Sequence, residues 1–584
     1  MSHIYEIITI LTLILVFTSS VFSSLIVNTN GGKIRGFESN SILDGKKYYS
    51  FLGIPYAKPP LGDLRFQPPI PAEKWEGTLN AEKEGNSCVQ SDLISDNFKL
   101  IGDEDCLYLN IYTPQPPSEI KVPKAVMVWI HGGGFHYCSG SREWGASDYL
   151  MKYDVIHVTL NYRLHAFGFL NLGSRNASGN YGLKDQWMAL KWVQENIGEF
   201  GGDAKNVTIF GESSGGASVQ FHTISPLSKG LFQRAIIQSG YVLSQWAFNP
   251  KPIEWGFLLA KILGFKGSGN EEAGEFLKKQ PADKITKAVH TMQQRHKNEY
   301  HQSVFSIFIP SVEIIKENAF LPDTPENLVK TMDNIPIMIG FVEHEGAFEL
   351  LEFKNIWETE NKLISTVKYY FDGIDDSHLD DIVLKIKKYY FGNKEIPTDV
   401  KLKLLEMWDD LETLHFYETI EKLSDSPSPP YVYKFTHNGD LHIGKDFFSL
   451  LSKLDINGTN RTIHSDELSY LFYIPTIGTN SIDFKPNDLK IIHQMCSLWT
   501  NFAKTGNPTY NVDVKWEPST TSKPTYLEIS LDPKLVEDKI RERGRSFWVE
   551  LIKSENLPFR NSKYLYDISK LNETILATSD TTTT

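Results

Sequence analysis

The chain has 584 residues, of which 41% are hydrophobic and 22% are charged, and its formal net charge at pH 7 is -13. These proportions are typical of a globular protein with a large core, and they exclude a collagen-like or disordered chain. An acidic balance of this size also argues against a nucleic-acid-binding protein, which normally carries a basic face. We therefore expect a folded protein that does not bind nucleic acid.

The amino terminus has the pattern of a secretory signal peptide. An apolar run from Ile7 to Phe17 is followed by small residues that lead to Ser23. The run is shorter than the roughly 20 residues that span a bilayer, and small residues are typical of a cleavage site. Residues 1–23 are therefore predicted to be a cleaved signal peptide of a secreted protein without stable membrane insertion. An uncleaved anchor is the alternative, because Glu6 and no Lys or Arg precedes the run.

The four cysteines are Cys88, Cys106, Cys138 and Cys496. In an oxidising compartment, the nearby pair Cys88 and Cys106 is predicted to close a short loop by a disulfide. The other two are predicted to be free thiols, one in a loop and one in a helix core. No histidine cluster accompanies the cysteines, so their spacing gives no zinc pattern, and neither a metal nor another cofactor is expected.

Acceptors for N-glycosylation, Asn-x-Ser/Thr, occur at several asparagines. Asn206 opens a predicted strand and is expected to be too buried for modification. The predicted glycosylation sites are the remaining ones, Asn176, Asn457, Asn460 and Asn572.

Short apolar runs that favour β-structure recur along the chain and predict the buried strands of a mainly parallel sheet. They cover residues 125–130, 155–160, 207–210, 235–237, 335–339 and 431–433. Between the second and third runs, apolar residues recur at helical spacing from Leu183 to Ile197, and Gly201 and Gly202 stop the helix. Strands that alternate with helices predict a doubly wound α/β fold.

The chain is predicted to form one domain with a tail. Residues 250–430 are more helical and more charged, and they are expected to form large helical insertions and a lid region over the sheet. The predicted domain spans residues 24–560. Residues 561–584 end in four threonines and are predicted to be a frayed tail.

The most informative motif is Gly211-Glu212-Ser213-Ser214-Gly215, which directly follows one of the apolar runs. A serine between two glycines at a strand-to-helix turn is typical of a nucleophile elbow, in which the glycines let the backbone fold back and expose the serine hydroxyl. Ser213 is therefore the candidate nucleophile, and the amide of Ser214 is a candidate donor to developing negative charge. Taken alone, the motif is also compatible with an ordinary glycine turn.

A second glycine motif, His131-Gly132-Gly133-Gly134-Phe135, follows the predicted strand 125–130. Consecutive glycines leave their amides unshielded by side chains, and an esterase presents oxyanion donors at this position. The amides of Gly133 and Gly134 are predicted to form an oxyanion hole together with that of Ser214. Removing one such donor typically costs about 3 kcal/mol of transition-state stabilisation.

A serine nucleophile needs a base and an orienting acid, which in this kind of fold follow it as Asp or Glu and then His. Glu345 follows the predicted strand 335–339, at the strand end where active-site residues of open parallel sheets collect. His464 lies farther downstream, and Glu467 is a second candidate for the acid. Considered singly, each is also compatible with an ordinary surface residue.

Together, these motifs resemble those of the type-B carboxylesterase and cholinesterase family over nearly the whole mature chain. The chain is most similar to a secreted insect carboxylesterase. The matching segments are Phe51–Ala57, Arg65-Phe66, Glu104–Asn110, Gly182–Gln186, Glu345-Gly346, His464–Leu468 and the two glycine motifs. A set of motifs of this size, in this order along the chain, is highly specific for the family.

The resemblance implies an α/β-hydrolase fold and a secreted serine carboxylesterase with the disulfide proposed above. Carboxylic esters would be cleaved through an acyl-enzyme on Ser213, with His464 as general base and Glu345 as its orienting acid. The implied substrates are small-molecule esters, in the breakdown of xenobiotics, odorants or pheromones, or dietary esters. The sequence makes no prediction of the oligomeric state.

The resemblance also implies residues of the substrate pocket. Trp246 follows Gln238-Ser239-Gly240 at the family spacing, which places it on the acyl side of the pocket. Phe135 is expected at the rim beside the oxyanion hole, and Glu212 is expected to contact the substrate.

Three departures from the family pattern bear on the substrate and the local geometry. The loop from Cys88 to Cys106 lacks the tryptophan with which cholinesterases hold a quaternary ammonium, so a choline ester is not the expected substrate. Juvenile hormone esterases generally carry Gln where Glu212 stands, which predicts a weaker match to them. Arg461 occupies a position where the family often has Gly before the catalytic histidine.

The alternative function is that of a catalytically inactive extracellular adhesion or binding protein, because the family includes such members on the same fold. Those members typically lack one residue of the catalytic triad. Since the whole triad is present here, the sequence favours the enzyme.

Overall fold

The computed structural model describes residues 25–92, 98–300, 307–332, 334–348, 361–371, 374–392, 401–452, 461–474, 484–509, 515–537 and 544–557. The predicted signal peptide and tail lie outside the described residues, as do three predicted glycosylation sites, Asn457, Asn460 and Asn572.

An eleven-stranded sheet forms the centre of the structure. In chain order its strands are β1 (Phe37–Asn40), β2 (Lys47–Pro55), β3 (Tyr108–Thr113), β4 (Lys124–Ile130), β5 (Ile156–Leu160), β6 (Gly202–Glu212), β7 (Arg234–Gln238), β8 (Ile337–Val342), β9 (Tyr431–Phe435), β10 (Thr525–Ile529) and β11 (Lys534–Glu537). Their spatial order is β11-β10-β9-β8-β7-β6-β4-β5-β3-β2-β1. All pairs from β10 to β5 in this order are parallel, and the outer pairs are antiparallel.

The α-helices of the described residues are α1 (Arg142–Gly145), α2 (His165–Phe169), α3 (Tyr181–Asn196), α4 (Ser214–Ile224), α5 (Pro252–Ile262), α6 (Asn270–Lys278), α7 (Ala282–Tyr300), α8 (Pro325–Leu328), α9 (Asn361–Tyr370), α10 (Asp376–Phe391), α11 (Lys401–Ser424), α12 (Ile443–Ser452), α13 (Pro486–Thr505) and α14 (Gly544–Ser554). Shorter strands pair outside the main sheet: Ile26–Asn28, Lys33–Arg35 and Thr78–Asn80 in one small sheet, Gln90–Ser91 with Leu100–Ile101, and Asn171–Ser174 with Ala177–Ser178. None of these helices is long and apolar enough to cross a membrane.

Both faces of the main sheet are covered by helices. Val126, Val128 and Ile130 of β4 pack in one hydrophobic core, to which α3 and α4 contribute. Met127 and Trp129 of the same strand pack in a second core with residues of α13. Because successive side chains of a strand point to opposite faces, this alternation places one core on each side of the sheet. The predicted α/β fold with a mainly parallel sheet is therefore confirmed.

The central elements match the sequence prediction closely. Each predicted strand is present, as β4 to β9, although β8 begins and ends later than predicted and runs to Val342. The predicted helix is α3, which is followed by a 3₁₀ turn at Ile197–Phe200. Gly201 then ends this segment in the left-handed conformation, with a φ of +82°, which glycine adopts without steric cost.

The sequence prediction missed the strands at the edges of the sheet, and β3 shows why. This strand contains a buried polar residue, Asn110, in the middle of its sequence. The Asn110 amide accepts a hydrogen bond from the Gly53 amide at 2.9 Å and donates one to the Gly140 carbonyl at 3.0 Å. A satisfied polar side chain interrupts the apolar run on which the prediction of a buried strand depends.

Part of the helical region between β7 and β9 packs with α14, which follows β11, around a separate core. Helices α9, α10, α11 and α14 contribute to a third hydrophobic cluster, in which Trp408 and Trp548 are almost completely buried. The predicted helical insertions are thus present in the described residues, with β8 between α8 and α9.

The cysteines are arranged as predicted. Cys88 and Cys106 form a disulfide, with Cα atoms 4.9 Å apart. Cys138 is a half-buried free thiol in a loop, and Cys496 is a buried free thiol in α13.

Two asparagines of the glycosylation motifs fall within the described residues. The Asn206 side chain is hydrogen-bonded within the protein. Its oxygen accepts a hydrogen bond from Arg234, and its nitrogen donates one to the Lys504 carbonyl at 3.5 Å. Asn176 is half-buried at the turn between two short strands. Modification of Asn176 and its absence at Asn206 remain predictions.

Replacing both bonded cysteines, Cys88→Ser with Cys106→Ser, should lower the free energy of unfolding by about 3 kcal/mol, because a disulfide that closes a loop of this length restricts the unfolded chain. Denaturant midpoints and slopes of the variant and the wild type measure the effect. Mass spectrometry of non-reduced wild-type peptides is the control and should show this link alone. A Cys88 to Cys138 link, or equal stability of the two proteins, would contradict the assignment.

Candidate active site

A cavity lies at the carboxyl edge of the parallel strands. The residues that follow β4, β6 and β8 contribute the glycine motif, Ser213 and Glu345 to its wall, and more distant segments add Trp246 and His464. The carboxyl ends of parallel strands meet at one edge of a sheet, which is why segments far apart in the chain converge there. The predicted nucleophile, acid and base therefore line one cavity.

Ser213 lies at the sharp turn between β6 and α4. Its φ of +58° and ψ of -127° are values that a residue with a side chain rarely adopts. Two glycines permit the turn: a Cβ on Gly211 would lie 2.6 Å from the Gly215 backbone, and a Cβ on Gly215 would lie 2.1 Å from the Ile130 carbonyl oxygen. The strained geometry expected of a nucleophile elbow is present at Ser213.

His464 is held by a hydrogen bond to Glu345. The Nδ1 atom of His464 lies 2.6 Å from Oε2 of Glu345, and Oε1 of Glu345 accepts a hydrogen bond from the Val342 amide at 3.0 Å. A carboxylate only accepts hydrogen bonds, so the contact assigns a proton to Nδ1. Glu467, the second candidate for the acid, is fully buried and instead accepts a hydrogen bond from Gln238 at 3.3 Å.

Glu212 lies on the other side of the His464 imidazole. The Nε2 atom of His464 lies 3.1 Å from Oε1 of Glu212, which also accepts a hydrogen bond from the Ser465 hydroxyl at 2.6 Å. Burial by itself lowers the pKa of His464, but the charges of Glu212 and Glu345 and the hydrogen bond to Glu345 outweigh it and raise this pKa to about 10. The cluster therefore stabilises an imidazolium, which is the form that histidine takes after it accepts a proton.

Burial raises the pKa of two of the carboxyl groups, whereas it lowers that of the histidine. Desolvation raises the pKa of Glu212, although the His464 charge and the Ser465 hydrogen bond oppose the shift. Desolvation and the neighbouring carboxylates raise the pKa of Glu467 well above its ordinary value. Protonation in this cluster is consequently shared among several groups and does not belong to one residue.

The glycine motif forms a tight turn beside the elbow. Gly133 and Gly134 have φ values of +97° and +60°. A Cβ on Gly133 would lie 2.4 Å from the Tyr137 carbonyl oxygen, so this position requires glycine. The Phe135 amide donates a hydrogen bond to the Ser214 hydroxyl at 3.1 Å, and this contact ties the glycine turn to the start of α4.

Ser214 is the first residue of α4, where backbone amides have no acceptor within the helix. The amides predicted for the oxyanion hole, those of Gly133, Gly134 and Ser214, thus belong to two neighbouring turns. Such amides suit the negative oxygen of a tetrahedral intermediate.

Phe135 is not at the rim of the cavity. Its ring is completely buried and packs edge-on against Phe169, with ring centroids 5.2 Å apart. Its φ of +64° belongs to the turn of the glycine motif. Because the ring belongs to the hydrophobic core, the structure corrects the expected substrate-pocket role of Phe135 to a packing role.

Trp246 lines the cavity beside a carboxyl group that the sequence analysis did not identify. Glu412 of α11 also lines the cavity and accepts a hydrogen bond from the Tyr370 hydroxyl at 2.7 Å. Burial raises the pKa of Glu412. No sequence signal separates Glu412 from exposed acids of the same helix such as Glu406, since only packing places it at the cavity.

Most of the remaining wall is aromatic or aliphatic, which suits the apolar parts of a small molecule. The residues of this kind are Trp129, Tyr137, Trp144, Tyr241, Ile443, Phe447, Phe448, Ile463, Leu468 and Ile474, and the free thiol of Cys138 lies among them. Among the residues that the structure describes, no group of three or more His, Cys, Asp or Glu side chains is arranged to hold a metal ion.

Comparison with known proteins agrees with this geometry. The carboxylesterase family model matches residues 23–548. The juvenile hormone esterase of Tribolium castaneum is 36% identical over 86% of this chain and 87% of that protein, and esterase FE4 of Myzus persicae is 35% identical over 86% and 88%. Human (Homo sapiens) neuroligin-2 is 32% identical over 90% of this chain and 67% of its own length.

These identities do not support the expectation of a weaker match to juvenile hormone esterases, because the Tribolium protein matches as strongly as the Myzus esterase. A family match over most of the chain agrees with the mainly parallel sheet, the strained turn at Ser213 and the hydrogen bond between Glu345 and His464. The chain belongs to the carboxylesterase family and has its α/β-hydrolase fold.

Proposed function

We propose that this protein is a secreted serine carboxylesterase that cleaves small-molecule carboxylic esters through an acyl-enzyme on Ser213. The observation that carries the proposal is the 2.6 Å contact between His464 and Glu345 in the wall of the cavity that also contains Ser213. Membership of the carboxylesterase family supports the same class of reaction.

In the first half of the proposed reaction, Oγ of Ser213 attacks the ester carbonyl carbon and Nε2 of His464 takes the hydroxyl proton. The imidazolium that forms is stabilised by Glu345 and by Glu212, whose carboxyl oxygens lie 2.6 Å and 3.1 Å from the ring nitrogens. The negative oxygen of the tetrahedral intermediate is held by the amides of the predicted oxyanion hole.

In the second half, the bond from the carbonyl carbon to the leaving oxygen breaks, and His464 returns its proton to that oxygen as the alcohol departs. A water molecule then attacks the acyl-enzyme with His464 as base, which releases the carboxylic acid and restores Ser213. The proposed reaction uses side chains and backbone amides of the protein and no cofactor.

Secretion is part of the proposal. It is supported by the predicted signal peptide and by the disulfide, since disulfides persist mainly in oxidising compartments. Glycosylation at Asn176 and at the asparagines outside the described residues belongs to the same proposal. The proposed roles are the breakdown of xenobiotic, odorant or pheromone, or dietary esters.

Sequence identity does not separate this proposal from the alternative of an inactive binding protein, because the two esterases and neuroligin-2 match within a few per cent of one another. The site supports the enzyme instead. The strained turn at Ser213 and the cluster of carboxyl groups around His464 are costly features that a binding surface does not need.

Ser213→Ala should reduce hydrolysis of an aryl acetate by at least about 10⁴-fold and should prevent labelling by an organophosphate, because both reactions need the same activated oxygen. Turnover and the mass of the labelled protein measure the two effects. Ser239→Ala is the matched control: Ser239 lines the same cavity, and its variant should still be labelled. Labelling of the active site in Ser213→Ala would contradict the assigned nucleophile.

Glu212→Gln should shift the rising limb of the kcat/KM pH profile to lower pH. In the wild type this limb should lie above the ordinary histidine pKa of about 6.5, because carboxylates favour the imidazolium. Removing the charge 3.1 Å from Nε2 makes the imidazolium less stable, so His464 is neutral, and able to act as a base, at lower pH.

The control for this shift is Glu406→Gln, a change at an exposed carboxylate of α11 that should leave the profile where it is. If the limb of Glu212→Gln coincides with that of the wild type, Glu212 does not act on the proton of His464.

Trp246→Leu should raise activity towards esters with long or branched acyl groups relative to acetates, because an indole in the cavity wall restricts the space for the acyl chain. Acetate hydrolysis itself should fall less than tenfold, or about 1.4 kcal/mol, since the predicted triad and oxyanion donors are untouched. Initial rates over a series of acyl lengths measure the change.

Trp75→Leu is the matched control, because Trp75 is a half-buried tryptophan whose indole instead donates a hydrogen bond to the Lys33 carbonyl. Unchanged acyl preference in Trp246→Leu would show that the indole does not bound the acyl site.

A further inference from the structure

Three side chains next to the Glu345–His464 pair are joined to one another by hydrogen bonds, and this hydrogen-bonded chain has no part in the reaction described above. The Nδ1 atom of His344 lies 2.6 Å from Oδ2 of Asp409, and Nη1 of Arg461 lies 2.9 Å from Nε2 of His344. A guanidinium only donates hydrogen bonds, so Nε2 accepts one and Nδ1 donates one to Asp409. The two contacts together therefore assign the proton of His344 to Nδ1.

The members of this chain come from the two segments that carry the proposed acid and base, and from α11. His344 directly precedes Glu345, and Arg461 lies three residues before His464. Asp409 belongs to α11, and its second oxygen accepts a hydrogen bond from the Gly346 amide at 2.8 Å. Residues on both sides of Glu345 are therefore bound to the same carboxyl group.

The backbone at this junction leaves little space. A Cβ on Gly346 would lie 2.5 Å from the Asp409 nitrogen, so the turn of Glu345 packs directly against α11. The His344 amide also donates a hydrogen bond to the Thr462 carbonyl at 3.1 Å, and His344 pairs with Ile463 as an isolated parallel bridge. The contact between Arg461 and His344 continues this link between the two segments through their side chains.

The chain does not contact the substrate cavity. His344, Asp409 and Arg461 line a separate surface cavity together with other residues of α11, and none of the three is in the wall that contains Ser213. Arg461 stands where the family often has glycine, and in this protein its guanidinium contacts the residue that precedes the acid. A residue at this site therefore acts on the reaction indirectly, through Glu345 and His464, and not by contact with the substrate.

We propose that the Asp409–His344–Arg461 chain is a positioning device that holds the segment of Glu345 against the segment of His464 and so sets the contact between acid and base. This inference rests on the proposed esterase function. A misplacement of about 1 Å between catalytic groups can cost about 100-fold in rate. Loss of the chain therefore lowers kcat, while KM changes little because the wall of the substrate cavity is intact.

The test compares Arg461→Ala, Asp409→Asn and their combination in the full-length protein. For each variant we would measure kcat and KM for an aryl acetate, with active sites counted by organophosphate labelling run to completion, and the thermal midpoint. Each single change should lower kcat per labelled site by about 10- to 100-fold with KM within about twofold of the wild type. The kcat of the double variant should be no lower than that of the less active single variant, because both changes break the same series of contacts.

Two further variants distinguish positioning from simple structural support. Arg461→Lys keeps a donor towards His344 and should recover part of the kcat that Arg461→Ala loses. Lys403→Gln, at an exposed lysine of the same surface cavity that pairs with Glu406, is the matched control and should keep the wild-type kcat.

Unchanged kcat per labelled site in both single variants, with only a lower thermal midpoint or fewer active sites, would overturn the proposal, and so would losses that multiply in the double variant. A wild-type protein that neither hydrolyses esters nor reacts with the organophosphate would overturn the proposed function and this inference together. An active wild type with unimpaired variants would overturn the inference alone.

Discussion

The close approach of the Ser213 turn to its neighbouring strands is the constraint on which the rest of the site depends. A Cβ on Gly215 would overlap the carbonyl oxygen of Ile130, and a Cβ on Gly240 would lie 1.8 Å from the Ser213 carbonyl oxygen. These contacts press the turn against the ends of β4 and β7. Since there is no room for a side chain at either glycine, the serine is held in its strained conformation by packing and does not relax.

Electrostatics in the cavity follow from the same compact arrangement. A single histidine lies among three buried carboxyl groups, each contributed by a different segment of the chain. The three carboxyl groups are buried, so the charges interact strongly and the ionised forms depend on one another. The imidazolium is favoured while Glu467 is driven towards its neutral form, because the buried space does not accommodate every negative charge at once.

Helix α11 connects this cluster to the helical part of the molecule. Trp408 is buried in the core that α9, α10 and α14 share, the next residue, Asp409, contacts the turn of Glu345, and Glu412 reaches the substrate cavity. One helix therefore packs against the turn of the proposed acid and also contributes Glu412 to the wall of the cavity. A change in the packing of α11 would therefore move both the turn of Glu345 and the cavity wall, which links the helical insertion to the geometry of the site.

The sequence by itself determined the fold class, the central strands and the turn at Ser213, and it singled out Glu345, Glu467 and His464 as candidates for the acid and the base. These features could be predicted because each depends on local rules: buried strands have apolar runs, and turns with positive φ or close backbone contacts require glycine. The family resemblance added the roles of His464 as general base and Glu345 as its orienting acid.

Only the tertiary structure decided which groups meet. It paired Glu345 and not Glu467 with His464 across 119 residues of sequence, buried the ring of Phe135, and brought Glu412 and the chain of Asp409, His344 and Arg461 to the site. Nothing local marks Glu412, Asp409 or His344, because an acid or a histidine has the same pattern at the surface, in a core or in a cavity wall. Their positions depend on how strand ends and helices from distant segments pack together, and that packing is a property of the whole chain.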